Sequence, residues 1–210
     1  MGQRSEKYWG RYAHSYDEGV AYVVGQYLRE AIIKRLLRER ALGEVIEFGC
    51  GTGYFTKVIA RNSKHVIASD ISDGMVRMAR AQLKDFRNVT IQKDDCERSS
   101  FPSGGFDTVF MANLINTIEN PLKALKESHR ILREGGLLLI ISYTDYGTKW
   151  FEKMDLALRY FQKFGLPPLY YKNYSPNQLI RLSENADFKV EEIQIIGDKA
   201  KALYLRAKKK

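Results

Sequence analysis

The sequence predicts an α/β fold in which helices cover both faces of a mostly parallel sheet. From residue 44 onward, short apolar runs of strand length alternate with helical segments, as in successive βαβ units. The runs are apolar throughout, which is typical of strands buried on both faces. The length of 210 residues fits one domain, and 44% hydrophobic with 28% charged residues is ordinary globular composition.

The elements of the first two thirds follow in a regular order. Apolar residues at steps of three and four predict a helix over 18–41, and Gly43 is expected to end it. Ser72 or Asp73 can cap a later helix, and Pro121 suits a first helical turn. The predicted strands are 44–48, 65–69, 89–92, 106–111 and 137–143. The predicted helices between them are 56–62, 72–83 and 120–132.

The pattern changes after Tyr143. Residues 144–174 contain nine aromatic side chains and a Gly165-to-Pro168 breaker, so we expect a helix over 148–163 and then a loop. A further helix is expected over 175–185. Alternating residues over 188–196 and 201–206 predict a terminal hairpin.

The most informative motif lies between the first strand and the next helix. Gly49, Gly51 and Gly53 follow Glu47 at steps of two. Glycines allow close backbone approach to a ligand, and a helix N-terminus offers unpaired N–H groups. Both features suit a nucleotide-like ligand. The dinucleotide fingerprint has the spacing G-x-G-x-x-G, whereas the spacing here is G-x-G-x-G.

This stretch resembles motif I, E/D-x-G-x-G-x-G, of the class I S-adenosylmethionine-dependent methyltransferases, in the broad branch with the ubiquinone/menaquinone methyltransferases. The resemblance covers residues 44–143 and implies a Rossmann-like, seven-stranded sheet of order 3-2-1-4-5-7-6 with an aromatic-rich cap. It implies S-adenosylmethionine as cofactor and S-adenosylhomocysteine as product. The expected single domain has four parts: an N-terminal helical lid over 1–43, a cofactor-binding core over 44–143, a cap over the acceptor site at 144–174, and a C-terminal helix and hairpin over 175–210.

Further motifs extend the resemblance. Asp70 closes the second strand 21 residues after Gly49, where a carboxylate can bind ribose hydroxyls. The loop at Asp95 and Cys96 resembles the family's adenine-binding loop. Cys96, and Cys50 in the glycine motif, are therefore expected to line the cofactor pocket rather than act as nucleophiles. The residues expected to contact the cofactor are Tyr16, Glu47, Gly49, Cys50, Gly51, Gly53, Asp70, Ile71, Met75, Asp95, Cys96, Ala112 and Asn113.

The chain departs from the family pattern in places that concern the acceptor. Asn116 stands where a histidine is common, and the N-P-P-Y sequence of amino-group-methylating DNA and protein-glutamine enzymes is absent. A base is needed only if the acceptor loses a proton. His14, on the N-terminal segment that resembles the family's lid, is the first candidate. The residues predicted to face the transferred methyl or act in catalysis are His14, Tyr16, Asn113, Asn116 and Tyr143.

The aromatic segment predicts a small, partly hydrophobic methyl acceptor, although simple packing of the cap onto the core also fits it. Two alternatives stay open: a tRNA or protein methyltransferase using the net charge of +9, and a nucleotide-binding module without catalysis. Nucleic acid is less expected because the basic residues are scattered. With two cysteines and no bilayer-length apolar run, we expect a cytoplasmic protein with no transmembrane segment. No metal site is predicted, and the acceptor and oligomeric state stay open.

Overall fold

The computed structural model describes residues 2–210, with side chains from residue 6 onward. Over these residues the chain forms one seven-stranded sheet with helices around it. The strands are β1 (Gly43–Phe48), β2 (Ser63–Asp70), β3 (Val89–Lys93), β4 (Phe106–Ala112), β5 (Leu132–Thr144), β6 (Phe188–Gly197) and β7 (Lys201–Lys209). The helices are α1 (Gly2–Tyr12), α2 (Tyr16–Val24), α3 (Gln26–Leu36), α4 (Thr56–Ile59), α5 (Asp73–Gln82), α6 (Pro121–Ile131), α7 (Trp150–Phe164) and α8 (Pro176–Glu184), with a 3-10 turn after α4.

The strand order is β3-β2-β1-β4-β5-β7-β6, which confirms the order implied by the resemblance. The first five strands pair in parallel, and β7 runs antiparallel between β5 and β6. The strand order reverses between β1 and β4: β2 and β3 follow on one side of β1, and β4 and β5 lie on its other side. Open parallel sheets bind ligands outside the carboxyl ends of their strands at such a switch point.

The sheet is buried on both faces by two apolar clusters. Val45 packs on the face covered by α3, with Leu28 and Ile32, whereas its neighbour Ile46 packs on the opposite face with Leu125 of α6. All five side chains are at most 2% exposed. Because alternate residues of a strand point to opposite faces, burial on both explains why the predicted strands are apolar without alternation.

The predicted single helix over 18–41 is wrong. The chain forms α2 and α3 instead, separated by Gly25 with φ +81° and ψ 150°. Residues with a side chain rarely adopt this backbone conformation, which changes the direction of the chain between the two helices. The spacing of apolar residues continues across Gly25, so the sequence pattern alone does not show the break. Gly43 begins β1 rather than ending a helix, because α3 has already ended at Leu36.

The later elements lie close to their predicted positions. The α5 helix is capped by the Ser72 hydroxyl, which accepts a hydrogen bond from the Met75 amide. The long α7 and the terminal hairpin of β6 and β7 are present, and β5 begins earlier than predicted, at Leu132. Within residues 2–210, no helix combines the length and apolarity needed to cross a bilayer.

Candidate active site

The loop from β1 to α4 is built on glycines with positive φ. Gly51 has φ +55°, and its amide donates a 2.9 Å hydrogen bond to Oδ2 of Asp70. A Cβ on Gly51 would lie in ordinary contact with the ring of Tyr16, 3.7 Å away, so the positive φ rather than a lack of space favours glycine at this position.

Asp70 ends β2 and is only 8% exposed. Oδ1 accepts a 2.9 Å hydrogen bond from the Ser72 amide, and Oδ2 accepts the one from Gly51. Burial raises the pKa of Asp70, and these backbone donors partly offset that rise. Each carboxylate oxygen keeps a lone pair, so Asp70 can accept two more hydrogen bonds from ligand hydroxyls.

The loop after β3 brings two further carboxylates to the same edge of the sheet. Oδ1 of Asp95 accepts a 2.9 Å hydrogen bond from the Glu97 amide. Oδ2 of Asp94 is buried without a hydrogen-bond partner among the described residues, and burial raises the pKa of this carboxyl. Burial also raises the pKa of the Cys96 thiol, which disfavours the nucleophilic thiolate.

The N-terminal helices close over this edge. Tyr16 packs edge-on against Trp9 of α1, with ring centroids 5.8 Å apart, and against Phe164 of α7 at 5.9 Å. The next residue, Asp17, accepts hydrogen bonds from the Thr52 hydroxyl at 2.9 Å and from Nε2 of Gln82 at 3.0 Å. Helix α2 is therefore hydrogen-bonded to the glycine loop and to the end of α5.

These elements enclose a first cavity at the carboxyl ends of the first four strands. It is lined by Trp9, Tyr16, Gly49, Gly51, Asp70, Ile71, Met75, Asp94, Asp95, Cys96, Glu97, Ala112, Asn113, Leu114, Thr117, Ile118 and Glu119. Ten of the residues predicted to contact the cofactor are among these: Tyr16, Gly49, Gly51, Asp70, Ile71, Met75, Asp95, Cys96, Ala112 and Asn113.

A second cavity of about 490 Å³ adjoins the first. Its walls are mainly apolar and aromatic side chains of α2, α7 and the loop after α7, including Val20, Leu156, Tyr160, Phe161 and Phe164. The two cavities share four lining residues, which mark their junction: Trp9, Tyr16, Asn113 and Thr117. The two cavities therefore adjoin at these side chains.

Asn113 occupies a strained position at this junction. Its φ is +55°, an uncommon value for a residue with a side chain, and its amide donates a 2.8 Å hydrogen bond to the Ile141 carbonyl. Its Oδ1 accepts a 2.9 Å hydrogen bond from the Tyr143 amide. The neighbouring strand thus holds both the backbone and the side chain of Asn113 in place.

Tyr143 and Asn116 both line the second cavity, but they differ in whether their polar groups are free to form further hydrogen bonds. The Tyr143 hydroxyl is buried and makes no hydrogen bond within residues 2–210, and burial raises the pKa of Tyr143. Asn116 uses both Nδ2 hydrogens, toward the carbonyls of Tyr143 and Lys172, and its Oδ1 accepts from Ser142. Asn116 therefore supports the cavity wall, whereas the Tyr143 hydroxyl is available to a bound molecule.

Four predicted site residues are not brought to either cavity. His14 is exposed to solvent on the turn between α1 and α2. Glu47 is 1% exposed and accepts a 2.6 Å hydrogen bond from the Thr56 hydroxyl, and burial raises its pKa to about 8. Cys50 is buried within the loop and lines neither cavity. Gly53 has φ +86°, and a Cβ on it would lie 2.6 Å from Cδ1 of Leu83, so glycine here avoids backbone strain and a close contact with Leu83.

A methyltransferase domain family matches residues 46–140 of the chain. Among curated proteins, the chain is 30% identical over 141 residues to demethylmenaquinone methyltransferase of Tropheryma whipplei, a match that covers 66% of this chain and 58% of that protein. It is 27% identical over 171 residues to a ubiquinone/menaquinone biosynthesis C-methyltransferase of Geobacter sp., covering 77% and 72% of the two chains.

A solved structure from Thermotoga maritima, described as an S-adenosylmethionine-dependent methyltransferase and possible histamine N-methyltransferase, has the same fold. Its TM-score is 0.75 at 21% identity, over 98% of this chain and 99% of that one. The matched domain contains the glycine loop, Asp70 and Asp95. Residues 46–140 form a methyltransferase domain, and these matches together with the strand order support a class I S-adenosylmethionine-dependent methyltransferase.

The first cavity, of about 90 Å³, offers polar groups of the kind that a nucleoside requires. Asp70 has lone pairs free to accept further hydrogen bonds, and Asp95 keeps one carboxylate oxygen uncommitted within the described residues. Among residues 2–210, no group of three or more His, Cys, Asp or Glu side chains could hold a metal ion.

Some residues of this methyltransferase site carried little sequence signal. Leu114, Ile118 and Glu119 enter the first cavity because the chain turns back after β4. Arg29 is 4% exposed on α3, stacks 3.6 Å from the ring centroid of Tyr54, and donates to the Asp17 carbonyl. Asp17 carried more signal, since it directly follows Tyr16, a residue predicted to contact the cofactor.

Proposed function

We propose that this methyltransferase transfers a methyl group from S-adenosylmethionine to a small, partly hydrophobic acceptor by in-line displacement. The observation that carries the proposal is the junction of two cavities at Tyr16 and Asn113. The first cavity has the polar groups for a nucleoside, and the second is a mainly apolar chamber. Its volume of about 490 Å³ lies in the range of small-molecule pockets.

The side chains of the first cavity bind and orient the cofactor. Asp70 accepts hydrogen bonds from the ribose hydroxyls, Asp95 accepts one from the adenine amino group, and Ile71 with Met75 packs against the ring. When bound, the sulfonium supplies a methyl group whose bond to sulfur breaks as the acceptor atom bonds to carbon, leaving a neutral thioether. The residues contribute mainly positioning, which can lower such a barrier by about 7–11 kcal/mol when geometry is ideal.

The second cavity orients the acceptor. Tyr143 stays protonated at neutral pH because burial raises its pKa, so its hydroxyl donates a hydrogen bond to the acceptor rather than removing a proton. None of the described residues that line this cavity is a histidine. Its one lining carboxylate, Asp145, forms a 3.2 Å ion pair with Lys153. This lining suits an acceptor that arrives already nucleophilic.

Two experiments test the proposal in sequence. Calorimetry with S-adenosylmethionine and S-adenosylhomocysteine measures cofactor binding, and failure to bind either would refute it. A labelled-methyl transfer screen over quinols, catechols, amines, thiols and total RNA then identifies the acceptor. Transfer to a small ring compound supports the proposal. Transfer to RNA alone would favour a tRNA methyltransferase instead.

A further inference from the structure

The outer side of the cap carries a large apolar surface, which we call the cap patch. Trp150 is 72% exposed, Leu166 is 76% exposed and Leu169 is 75% exposed. Monomeric proteins rarely expose contiguous apolar surfaces of this kind unless the surface has a partner. The cap patch consists of Trp150, Phe151, Met154, Leu158 and Phe161 on α7 and Leu166 and Leu169 in the loop that follows.

The helical part of the cap patch forms a continuous stripe. At about 100° per residue, its five side chains fall within roughly 100° of one another around α7. The adjoining side of the helix carries Leu156, Ala157, Tyr160 and Phe164, which line the second cavity. The helix therefore has two apolar faces, one covering the cavity and one exposed to solvent.

The charges around the cap patch are net positive. Asp145 pairs with Lys153 and Asp155 pairs with Arg159 at 2.8 Å, whereas Glu152 accepts a hydrogen bond from the Lys149 amide and keeps its negative charge. Three other lysines have no carboxylate within ion-pair distance among the described residues: Lys149, Lys163 and Lys172. The whole chain carries a formal net charge of +9.

We propose that the cap patch docks on the surface of an anionic lipid bilayer. A helix with tryptophan, phenylalanine and leucine on one face and lysines beside it is typical of helices that lie in the interfacial plane of a membrane. Each lysine near an anionic surface adds about 1 kcal/mol of attraction. The apolar stripe matches the acyl chains of such a surface. Lys149, whose Nζ lies 5.8 Å from the ring centroid of Phe151 in the cap patch, and the net charge of +9 match its anionic headgroups.

Self-association through the cap patch is the main alternative. A two-fold symmetric interface places the same surface on both subunits. It brings together two chains that each carry a formal net charge of +9, which repel each other, whereas an anionic bilayer attracts them.

Docking would also place the second cavity beside the lipid. Phe161 belongs to both the cap patch and the cavity lining, and Pro167 lines the cavity between Leu166 and Leu169 of the patch. An acceptor dissolved in the bilayer could then enter the cavity without crossing water. This consequence goes beyond the proposed methyl transfer, and lipid docking is measurable without any acceptor.

Vesicle co-sedimentation tests the docking directly. The full chain is mixed with vesicles of phosphatidylglycerol and phosphatidylcholine, and separately with phosphatidylcholine alone. We expect binding to the anionic vesicles that weakens with added salt, and binding at least about tenfold weaker to the zwitterionic ones. Leu158→Glu and Met154→Glu should each reduce anionic-vesicle binding about tenfold or more, because each places a charge in the apolar stripe.

Matched variants separate the contributions. Tyr27→Glu is the control, because the Tyr27 ring on α3 is 77% exposed and lies outside the cap patch. This variant should bind the vesicles as the unmodified chain does, apart from a small effect of the added charge. Lys149→Gln should weaken binding to anionic vesicles only. Binding that is unaffected by Leu158→Glu would overturn the proposal. So would a concentration-dependent dimer, measured by sedimentation without lipid, that Leu158→Glu dissociates while vesicles bind neither protein.

Discussion

The Thr52 hydroxyl of the glycine loop lies 2.9 Å from each carboxylate oxygen of Asp17 on the lid. This hydrogen bond joins two segments that are 35 residues apart, and each partner is the neighbour of a residue that lines the first cavity, Tyr16 or Gly51. Gln82 donates to the same carboxylate at 3.0 Å, so three elements meet at Asp17. The position of Tyr16 over the cavity depends on this connection, because Tyr16 immediately precedes Asp17.

Replacing Asp17 should therefore weaken the attachment of helix α2 to the glycine loop. We expect Asp17→Ala to weaken S-adenosylmethionine binding about tenfold, mainly through faster cofactor release, since the loss of one buried polar partner costs about 1–3 kcal/mol. Stopped-flow fluorescence gives the release rate. Thr52→Val should have a similar but smaller effect, and the double variant should be less than additive because both changes break one contact. Glu18→Ala, at an exposed acid on the same helix, is the control.

Asp70 supports a sharper test of the ribose site. We expect Asp70→Asn to reduce the affinity for both S-adenosylmethionine and S-adenosylhomocysteine more than tenfold, because an amide cannot accept all the hydrogen bonds that a carboxylate accepts. Calorimetry measures both affinities. Asp73→Asn, at an exposed carboxylate three residues later, should leave them unchanged. Equal effects of the two variants would contradict the ribose role.

The same carboxyl should make cofactor binding sensitive to mild acid. Burial raises the pKa of Asp70 above its ordinary value near 3.8, so it takes up a proton at a higher pH than a solvent-exposed aspartate does. The protonated form loses acceptor capacity, and affinity should fall as pH falls through that pKa. Asp70→Asn should abolish this dependence, which calorimetry at several pH values checks. An unchanged pH profile in the variant would assign the titration to another group.

The sheet and the cofactor end of the site were predictable from local patterns. Asp70 was found because a strand ends there, and carboxyl ends of parallel strands meet at one edge of a sheet. Ser72 was found as a helix cap by its residue type and position. These inferences depend on residues within one βα unit, where spacing along the chain fixes position in space.

Local patterns are weaker guides where position depends on distant contacts or on one backbone angle. The division of α2 from α3 rests on the positive φ of Gly25, while the apolar pattern continues across it. Glu47 belongs to the motif that the family shares, yet its side chain turns into the core toward Thr56. The second cavity combines residues from Trp9 to Lys201, a combination that only the folded chain displays.

The buried Glu47 should leave a signature in the stability of the protein. Its pKa is raised from about 4.5 to about 8, so the folded state holds a proton that the unfolded state releases. This contribution is fully present below about pH 4.5 and is lost as pH rises toward 8. Glu47→Gln cannot ionise and keeps an oxygen acceptor for Thr56. Relative to the unmodified chain, its free energy of unfolding should rise with pH over this interval, by at most about 1.4 kcal/mol per unit.

Urea unfolding at pH 5, 6, 7 and 8 measures that difference. Titration of every other group that Glu47 does not perturb cancels between the two proteins, so the comparison isolates Glu47. A difference that stays constant from pH 5 to 8 would contradict a protonated Glu47 in the folded chain, and would mean that water or a cation reaches this carboxyl.

The Tyr143 hydroxyl gives the most direct test of the acceptor cavity. Tyr143→Phe removes one buried oxygen that makes no hydrogen bond among the described residues, so stability should be unchanged or slightly higher. If the hydroxyl orients the acceptor during transfer, kcat/KM for the acceptor found by the transfer screen should fall about tenfold or more, while cofactor affinity stays constant. Tyr146→Phe, at a half-exposed ring outside both cavities, should change neither quantity. Because a destabilised cavity wall would lower cofactor binding and thermal stability together, a loss confined to kcat/KM assigns the effect to the hydroxyl itself, whereas unchanged kcat/KM would remove Tyr143 from the mechanism.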